Sequence, residues 1–465
     1  MEVKREASWI SKKCENIEPV RAWLALGAAI YSLFILTLCD SFGVYYDALV
    51  EKYNASRADV GMILSIRWIF IFVSAVFISP LIDLCGCRSV VMIFGFLYAA
   101  TNALCSIAPT VGSLYFIYGV LTGVGDSGIL VGSISAVEQL FSTNLGFAIG
   151  FVNIGFSLGI LIHPMHTRIF LDLYGVSGMY LMHGAISLHI MIVAFAFPNR
   201  KRDVSTKAKK LDPANSNSSS KSDDKTIHTS DGPHDSSSSV ILKDKCYILK
   251  TYLRTMMDFT LLKMFCFVLS IIHYTLLLMV RLGISSQIVS CATFRGIPPN
   301  RASYLISIFG STGLSMILLS SIFMNMSWFN SAIFSGLAAL SMATGAFVCA
   351  FSNSYVMFAT SAILMGIGDG MATANLPLLV VYVVGVERFS RGFSLFWTLL
   401  VPSALGSSTF VGWMVDVHGN YIMAFIILGV CGIISVILAV CVAIIKNRKN
   451  KVTDSVSSVT ITTKL

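Results

Sequence analysis

Charged side chains are scarce in this sequence. Asp, Glu, Lys and Arg make up 12% of the 465 residues, whereas hydrophobic residues make up 55%. A soluble globular protein carries about 25% charged residues. The scarcity excludes a chain of ordinary soluble domains, although the length alone would allow two or three of them. A mean hydropathy of +0.77 instead indicates a polytopic membrane protein.

The sequence also lacks the motifs of several enzyme classes. It contains no phosphate-binding P-loop, no HExxH metal site and no recognisable nucleophile–base set. The Cys85–Cys87 turn has no second Cys or His cluster to complete a metal site. We therefore expect a protein that is not an enzyme and that uses no metal or other cofactor. The polar first 21 residues lack the apolar core of a cleaved signal peptide, so we expect the first apolar run to direct membrane insertion.

Long apolar runs dominate what is present. A membrane-spanning helix needs about 20 mainly apolar residues. Twelve runs are long enough, at about residues 22–46, 60–82, 89–107, 113–139, 145–163, 178–198, 258–281, 303–324, 328–350, 355–384, 392–415 and 421–445. Backbone groups in hydrocarbon must bond within their own segment, so the runs predict an all-α membrane protein with 12 transmembrane helices.

A polar segment divides the twelve runs into two sets of six. Residues 199–257 are rich in Ser, Lys and Asp and poor in large apolar residues, as is typical of a disordered linker. The predicted organisation is a cytosolic N-tail (1–21), an N-terminal six-helix bundle (22–198), a disordered cytosolic linker (199–257), a C-terminal six-helix bundle (258–445) and a cytosolic C-tail (446–465).

Lys and Arg are unevenly distributed between the two sides of the predicted membrane. With a cytosolic N-terminus, the short loops and tails of the inner side hold 13 of them and the outer loops hold 5. The positive-inside rule therefore predicts that both termini are cytosolic. The net charge of +9 follows from this topology and from contact with anionic membrane lipids, and it does not indicate a nucleic-acid partner.

Two carboxylates lie deep in apolar runs at corresponding places. Asp126 follows Gly-Val-Gly in the fourth run, and Asp369 follows Gly-Ile-Gly in the tenth. The fourth and tenth runs correspond if the two halves form a parallel repeat. An ionisable residue at this depth is costly and usually marks a pathway in the bundle interior. Asp369 and Asp126 are thus the first candidates for solute binding or coupling. The alternative is that each only bonds across a helix interface.

Further charged or titratable side chains lie in the first, second and seventh runs. Asp40 and Arg67 lie at matched depth, which predicts that they pair. If Arg67 instead faces a cavity, its planar guanidinium suits a solute carboxylate. His273 is a candidate proton relay, and its alternative role is a hydrogen bond in helix packing. Arg281, at the predicted end of the seventh run, is expected to reach the membrane surface.

The turn between the second and third runs carries a family motif. It reads SPLIDLCGCRSVVM, and its Asp83, Gly86 and Arg88 match the D-x-x-G-x-R core of the cytoplasmic loop signature of the major facilitator superfamily. The chain resembles that superfamily. The resemblance implies two six-helix halves that rock around a midplane site, and it implies that Asp83 and Arg88 help to latch helix ends on the cytosolic side.

Within the superfamily, the C-terminal half resembles the monocarboxylate transporter family. The matching pieces within residues 380–425 include Gly385-Val-Glu-Arg388 and Asp416-x-x-Gly-x-Tyr421. Asp369 matches an Asp that occurs in family members handling amino acids and related aromatic compounds. The resemblance also implies a plasma-membrane location and a single-span accessory glycoprotein as a partner.

The sequence departs from that family at the charges used by proton–lactate carriers. Their span-one lysine corresponds to Asp40, and their span-eight Asp–Arg pair falls at Gly313 and Ile317. The usual anchor for a substrate carboxylate is missing, so proton-coupled lactate transport does not simply carry over.

The sequence as a whole predicts a secondary transporter that works by alternating access, with proton symport as a hypothesis. The expected solute is a monocarboxylate, an amino acid or a related organic anion. The alternative is a non-transporting membrane sensor or scaffold that keeps the transporter fold. Two peripheral features complete the prediction: a glycosylation sequon at Asn54 on an outer loop, and a C-terminal Thr463-Lys-Leu465 that matches a PDZ-binding tail.

Overall fold

The fold is taken from a computed structural model that describes residues 20–141, 145–198, 259–324, 326, 329–385 and 388–462. The described residues form helices and connecting turns, without a β-strand among them. The predicted N-tail, the linker and the PDZ-type tail lie outside the described residues, apart from the ends of the flanking helices.

Ten of the membrane helices are separate segments of the described residues. They are α1 (Val20–Tyr53), α2 (Arg57–Cys85), α3 (Cys87–Cys105), α4 (Val111–Leu140), α7 (Phe265–Phe294), α8 (Pro299–Phe323), α9 (Ser331–Ala350), α10 (Tyr355–Val384), α11 (Gly392–His418) and α12 (Ile422–Thr462). A short 3₁₀ turn, Phe259–Lys263, precedes α7.

The remaining two helices are joined almost end to end. The apolar segment Gly150–Ala196 has 47 residues. A straight helix of that length would measure about 70 Å, more than twice the roughly 30 Å hydrocarbon core, so the segment must contain two spans. Gly175 interrupts its helical backbone with φ 64° and ψ −175°. We therefore assign residues 145–174 to α5 and residues 176–196 to α6. The predicted twelve spans are confirmed.

Consecutive helices run antiparallel, so the connections alternate between two ends of the bundle. The α1–α2, α3–α4 and α5–α6 connections lie together, because Lys52 donates a hydrogen bond to Ser177 and Tyr53 donates one to the carbonyl of Ala108. We call this end the Asn54 end and the opposite one the Gly86 end. The turn at Gly86 has φ 86°, a left-handed conformation that glycine adopts without steric cost.

Each six-helix half has its own apolar core. In the N-terminal half, the buried tyrosines of α1 and α4 meet through Tyr45 and Tyr118, whose hydroxyl oxygens lie 2.9 Å apart. In the C-terminal half, small and flexible residues such as Ala338, Met342 and Met365 pack between α9 and α10. Large apolar side chains cover much of the outer surface, as in Ile107, which is 75% exposed. This exposed apolar surface is expected of a protein whose solvent is lipid.

Within the part of the chain that the structure describes, the two halves approach closely along three helix pairs. A Cβ atom added to Gly61 on α2 would lie 2.6 Å from the carbonyl oxygen of Ser408 on α11. A Cβ atom added to Gly310 on α8 would lie 2.6 Å from the backbone nitrogen of Leu161 on α5. On α1, Gly43 packs in the same way against the backbone of α7. Small residues at these positions allow helix backbones to touch within the membrane.

Candidate functional site

Each half holds a buried arginine–aspartate pair. In the N-terminal half, Arg67 Nε on α2 lies 2.6 Å from Asp126 Oδ2 on α4. In the C-terminal half, Arg281 Nε on α7 lies 2.6 Å from Asp369 Oδ1 on α10. All four side chains are largely removed from solvent. A charge at this depth is expensive unless it is paired, so each arginine offsets the burial of an aspartate in its own half.

Glycines beside the two aspartates bring the neighbouring helices close. A Cβ atom on Gly123 would lie 2.6 Å from the carbonyl oxygen of Arg67, and one on Gly370 would lie 2.5 Å from that of Gly313. These contacts place α2 against α4 and α8 against α10 at the level of Asp126 and Asp369. The glycine-rich pattern therefore helps to position the carboxylates between helices.

Asp40 adds a third carboxylate beside Arg67. Its Oδ1 atom lies 3.7 Å from Arg67 Nη1, so this contact is longer than the Arg67–Asp126 contact. The sequence predicted an Asp40–Arg67 pair, and the structure adds Asp126 to it. Asp40 lies in the 3₁₀ turn Thr37–Ser41 that interrupts α1. Such an irregular turn within a helix often marks a functional hinge.

A small cavity lies between the two halves. Asp40, Phe42 and Trp68 line it from the N-terminal half, together with Ile160 of α5. Arg281, Ser285 and Phe309 line it from the C-terminal half. Arg67, with 2% of its side chain exposed, is behind this lining. The charged groups that face the cavity are therefore Asp40 and Arg281.

Arg281 is the site residue that the sequence reasoning missed. The predicted seventh span ended at this arginine, but α7 continues to Phe294 and places Arg281 near its middle. The expectation that Arg281 reaches the membrane surface is wrong, because the residue is buried beside Asp369. Residues 282–294 remain mostly apolar, and the first helix-breaking signal is Gly296 followed by Pro298. These apolar residues after Arg281 are the sequence signal that the helix continues beyond it.

His273 lies in the packing of the C-terminal half. Its Nε2 is 2.5 Å from the hydroxyl of Ser335 on α9, and its Nδ1 is 2.9 Å from the carbonyl oxygen of Ser435 on α12. The ring therefore joins α7 to two neighbouring helices. These contacts fit the packing alternative for His273.

The loop motif occupies the Gly86 end. Asp83 is buried at the end of α2, and Gly86 forms the turn into α3. Arg88 Nε donates a 3.0 Å hydrogen bond to the carbonyl of Phe197, just after α6. The motif thus holds the end of α6 against the α2–α3 turn. At the opposite end, Asn54 is exposed and caps α1 in a left-handed conformation.

The Asn54 end is closed by polar contacts between the halves. The carboxylate of Asp416, on α11, accepts hydrogen bonds from the backbone N–H groups of Arg57 (3.1 Å) and Ala58 (2.8 Å) at the start of α2. Arg57 Nη1 also donates to the hydroxyl of Tyr421 and pairs with Asp47 of α1. We call Arg57, Asp47, Asp416 and Tyr421 the cross-half lock. A carboxylate is favoured there by the unpaired N–H groups and dipole of a helix N-terminus.

The fold and the buried pairs define a class of membrane protein. The chain matches the family model described as Major Facilitator Superfamily over residues 23–400. Because this match covers most of the sequence, the protein belongs to the major facilitator superfamily. It is a multi-pass integral membrane protein with twelve helices in two six-helix halves, as predicted.

The chain is similar to several monocarboxylate transporters. It is 26% identical to monocarboxylate transporter 9 of Mus musculus over 410 residues, which cover 74% of this chain and 77% of the relative. It is 23% identical to monocarboxylate transporter 2 of Meriones unguiculatus over 413 residues, covering 88% and 81% of the two chains. A match to monocarboxylate transporter 6 of Homo sapiens is 28% identical over 172 residues, which cover 37% of this chain and 34% of that one. The predicted resemblance is confirmed.

Solved structures share the fold at lower identity. The peptide transporter POT in complex with sulfate aligns with a TM-score of 0.69 at 12% identity, covering 92% of this chain and 95% of the other. A POT family transporter in complex with 5-aminolevulinic acid aligns with a TM-score of 0.63 at 13% identity, covering 90% and 95%. These likenesses show the fold alone.

Proposed function

We propose that the protein is a secondary transporter that carries a small organic solute across the membrane by alternating access. The observation that carries this proposal is the cavity between the halves, which Asp40 lines from one side and Arg281 from the other. In major facilitator proteins the solute binds near midplane between halves that rock against each other. A solute bound to both residues would contact both moving bodies.

Arg281 and Asp40 provide complementary chemistry for such a solute. A guanidinium has five N–H donors, and the contact with Asp369 is made through Nε. The other donors can bind a carboxylate, while Asp40 can bind a positive group or a proton. This donor and acceptor set suits a monocarboxylate, an amino acid or a related organic anion.

Alternating access requires that one end of the bundle opens when the other closes. In this conformation the cross-half lock joins the halves at the Asn54 end. Release of the lock would let α2 separate from α11, and the cavity would then open toward that end. We infer that this structure represents a state closed at the Asn54 end.

Proton symport is a further part of the proposal. With Arg67 paired closely to Asp126 and Arg281 to Asp369, Asp40 is the carboxylate held by the longer contact. A proton on Asp40 would remove one negative charge from the cavity during each cycle. Transport would then respond to a pH gradient.

Uptake into proteoliposomes tests the function directly. The purified protein is reconstituted and offered a panel of radiolabelled monocarboxylates, amino acids and aromatic acids, with protein-free liposomes as the control. We expect saturable uptake of at least one class, and a faster rate when a pH gradient is imposed. If no solute of the panel is taken up, the result would favour the alternative of a non-transporting sensor or scaffold. Uptake at a rate that does not change with the pH gradient would rule out proton coupling but would leave the transport function standing.

The proposed setting of the transporter is the plasma membrane with both termini in the cytosol. The excess of Lys and Arg on the Gly86 side supports this orientation. A single-span accessory glycoprotein and a PDZ protein at the C-terminus are proposed partners. Co-purification from a native membrane with and without residues 463–465 would test the PDZ partner, because only the intact tail should retain it.

A further inference from the structure

The buried charges in the middle of the bundle do not balance. Among the described residues, two arginines at this level, Arg67 and Arg281, face three aspartates, Asp40, Asp126 and Asp369. Fully ionised, the set therefore has one negative charge in excess. Buried charges are screened weakly, so an excess of one charge affects what can enter.

The excess charge is localised toward the cavity. Asp126 and Asp369 each lie 2.6 Å from an arginine nitrogen, whereas Asp40 lies 3.7 Å from Arg67. Asp40 is also the carboxylate that lines the cavity. A carboxylate in a cavity with incomplete pairing is a binding group for a cation.

Three aromatic side chains are part of the lining of the same cavity. Phe42 and Trp68 line the cavity from the N-terminal half, and Phe309 lines it from the C-terminal half. The faces of aromatic rings attract cations, and a desolvated quaternary ammonium among several rings is a recurring case. A carboxylate with three aromatic rings therefore favours a positively charged nitrogen over a second anion.

We propose that the transported solute carries an ammonium group, which binds to Asp40 among Phe42, Trp68 and Phe309. A carboxylate on the same solute would turn to Arg281. This inference rests on the proposed transport function and narrows it, because it disfavours simple monocarboxylates. It also replaces the proton at Asp40 by the ammonium group, since one carboxylate cannot hold both at once. A monocarboxylate would bring a second excess negative charge into the cavity, whereas a solute with both an ammonium and a carboxylate group would add no net charge.

A matched pair of solutes separates charge from shape. One is the betaine of β-alanine, which has a quaternary ammonium and a carboxylate. The other is its carbon isostere, in which a carbon atom replaces the quaternary nitrogen. Binding is measured as the shift in Tm of the purified protein, and transport is measured as uptake into proteoliposomes. We expect the betaine to bind about tenfold more tightly than the isostere.

The outcomes distinguish this inference from the transport function. Equal or tighter binding of the isostere would overturn the ammonium site, while its uptake would leave the transport function standing. A Tm shift by the betaine without uptake of any solute in the panel would support the site and count against transport. If neither compound shifts the Tm, the ammonium site is wrong.

Substitutions at the cavity test the assigned residue. Asp40→Asn should abolish the preference for the betaine, and Asp40→Glu should retain most of it. Asp172→Asn removes an exposed carboxylate that pairs with Arg168 outside the cavity, so it should leave the preference unchanged. If Asp40→Asn fails to fold, Trp68→Leu supplies the second variant, for which we expect a several-fold loss of betaine binding. An unchanged preference in Asp40→Asn would contradict the assignment.

Discussion

Arg67 occupies an unusual position for a single side chain, because it is fully buried between two carboxylates of different helices. Its contact with Asp126 is short, and its contact with Asp40 is longer. A buried ion pair adds little net stability compared with apolar packing, but removal of one partner leaves a charge without compensation. Loss of Arg67 should therefore destabilise the protein because it leaves Asp126 without its close partner.

Replacement of Arg67 by methionine should destabilise the protein strongly. We expect Arg67→Met to lower the free energy of unfolding by about 3 kcal/mol, because Asp126 loses its close partner. The measurement is an unfolding titration in mixed micelles. The double variant Arg67→Met/Asp126→Leu should recover part of the loss, since Asp126 is no longer an unpaired charge and only Asp40, which lines the cavity, loses its arginine.

A matched control is available in the pair Arg168–Asp172, in which Arg168 is partly buried and Asp172 is exposed. Arg168→Met should change the free energy of unfolding by less than about 1 kcal/mol. A double variant as unstable as Arg67→Met would show that the cost does not come from an uncompensated Asp126.

Asp369 should matter for transport more than for folding. Its side chain is slightly accessible and pairs with Arg281 at the cavity. Asp369→Asn keeps the shape and removes the charge, so Arg281 would be free to hold a solute carboxylate too tightly for release. We expect uptake to fall by about tenfold, and because Arg281 lines the cavity, its unpaired charge should cost less stability than an unpaired Asp126 does. Glu51→Gln, at an exposed position on α1, should transport normally. Normal transport by Asp369→Asn would remove Asp369 from the site.

At the residue scale, the sequence predicted candidate site residues where a charge interrupts an apolar run. Asp126, Asp369, Asp40 and Arg67 all stood out in this way, and the structure brings each of them into an ion pair. Arg281 did not stand out, because it was taken as the end of a run. The pairing itself could not be read from sequence, since it depends on which helices are neighbours in space.

For the helices, the length of the apolar runs predicts how many there are but not where each one ends. Apolar length alone predicted twelve helices, because the bilayer sets a minimum span. It did not predict their ends: α7 runs to Phe294 instead of 281, and α5 continues to residue 174 instead of 163. Helices extend beyond the hydrocarbon core when packing satisfies their outer turns, and composition does not report that packing.

The start of α2 depends on a residue from the other half. Asp416 accepts hydrogen bonds from the first N–H groups of α2, so the helix end and the contact between halves are stabilised together. A carboxylate at a helix N-terminus contributes about 0.3–1 kcal/mol when exposed and up to about 2 kcal/mol when partly buried.

Asp416→Asn should therefore shift the protein toward a state open at the Asn54 end. A change of about 1 kcal/mol corresponds to about a fivefold change in the population ratio. The measurement compares the rate at which an impermeant thiol reagent labels a cysteine introduced at Ser285, which lines the cavity. We expect faster labelling in Asp416→Asn than in the Ser285→Cys protein alone. His418→Gln, two residues further along, is the control. Identical labelling rates would mean that Asp416 does not hold this end closed.

The α5–α8 contact offers a second test at the level of helices. Gly310→Ala would bring a methyl group to within 2.6 Å of the backbone of Leu161, which cannot move aside like a flexible side chain. Overpacking of this kind costs about 1–3 kcal/mol. We expect a lower Tm for Gly310→Ala. Gly27→Ala, at a position with open space around the added methyl, should leave the Tm unchanged or raise it. Equal effects at the two glycines would argue against tight α5–α8 packing.

At the scale of the whole molecule, the two halves repeat the arrangement of six helices, but they do not repeat the positions of all the buried charges. The corresponding helices α4 and α10 both carry an aspartate, Asp126 and Asp369. Their arginine partners lie on helices that do not correspond, since Arg67 is on the second helix of its half and Arg281 is on the first helix of its half. Each half thus contains an arginine–aspartate pair, but the pairs join different helices of the repeat. The cavity between the halves is lined by an aspartate on one side and an arginine on the other.

The orientation of the whole bundle can be tested at its two ends. Asn54 is exposed at the end that we infer to be outside the cell, and a tag fused to the C-terminus would report the other end. We expect antibody to reach the C-terminal tag only after cells are permeabilised. A glycosidase should shift the apparent mass of the natural chain but not of Asn54→Gln. A tag that antibody reaches on intact cells would show that the topology is the inverse of the predicted one.

The single non-helical residue between α5 and α6 has a mechanical consequence. Gly175 joins the two helices with no loop to take up movement. On one side, α5 packs against α8 of the other half, where Gly310 meets Leu161. On the other side, α6 packs into its own half, where a Cβ atom on Gly184 would lie 2.9 Å from the backbone of α3. We therefore expect a displacement of α5 relative to α8 to be passed on to α6 and α3, so that these three helices of the N-terminal half move together.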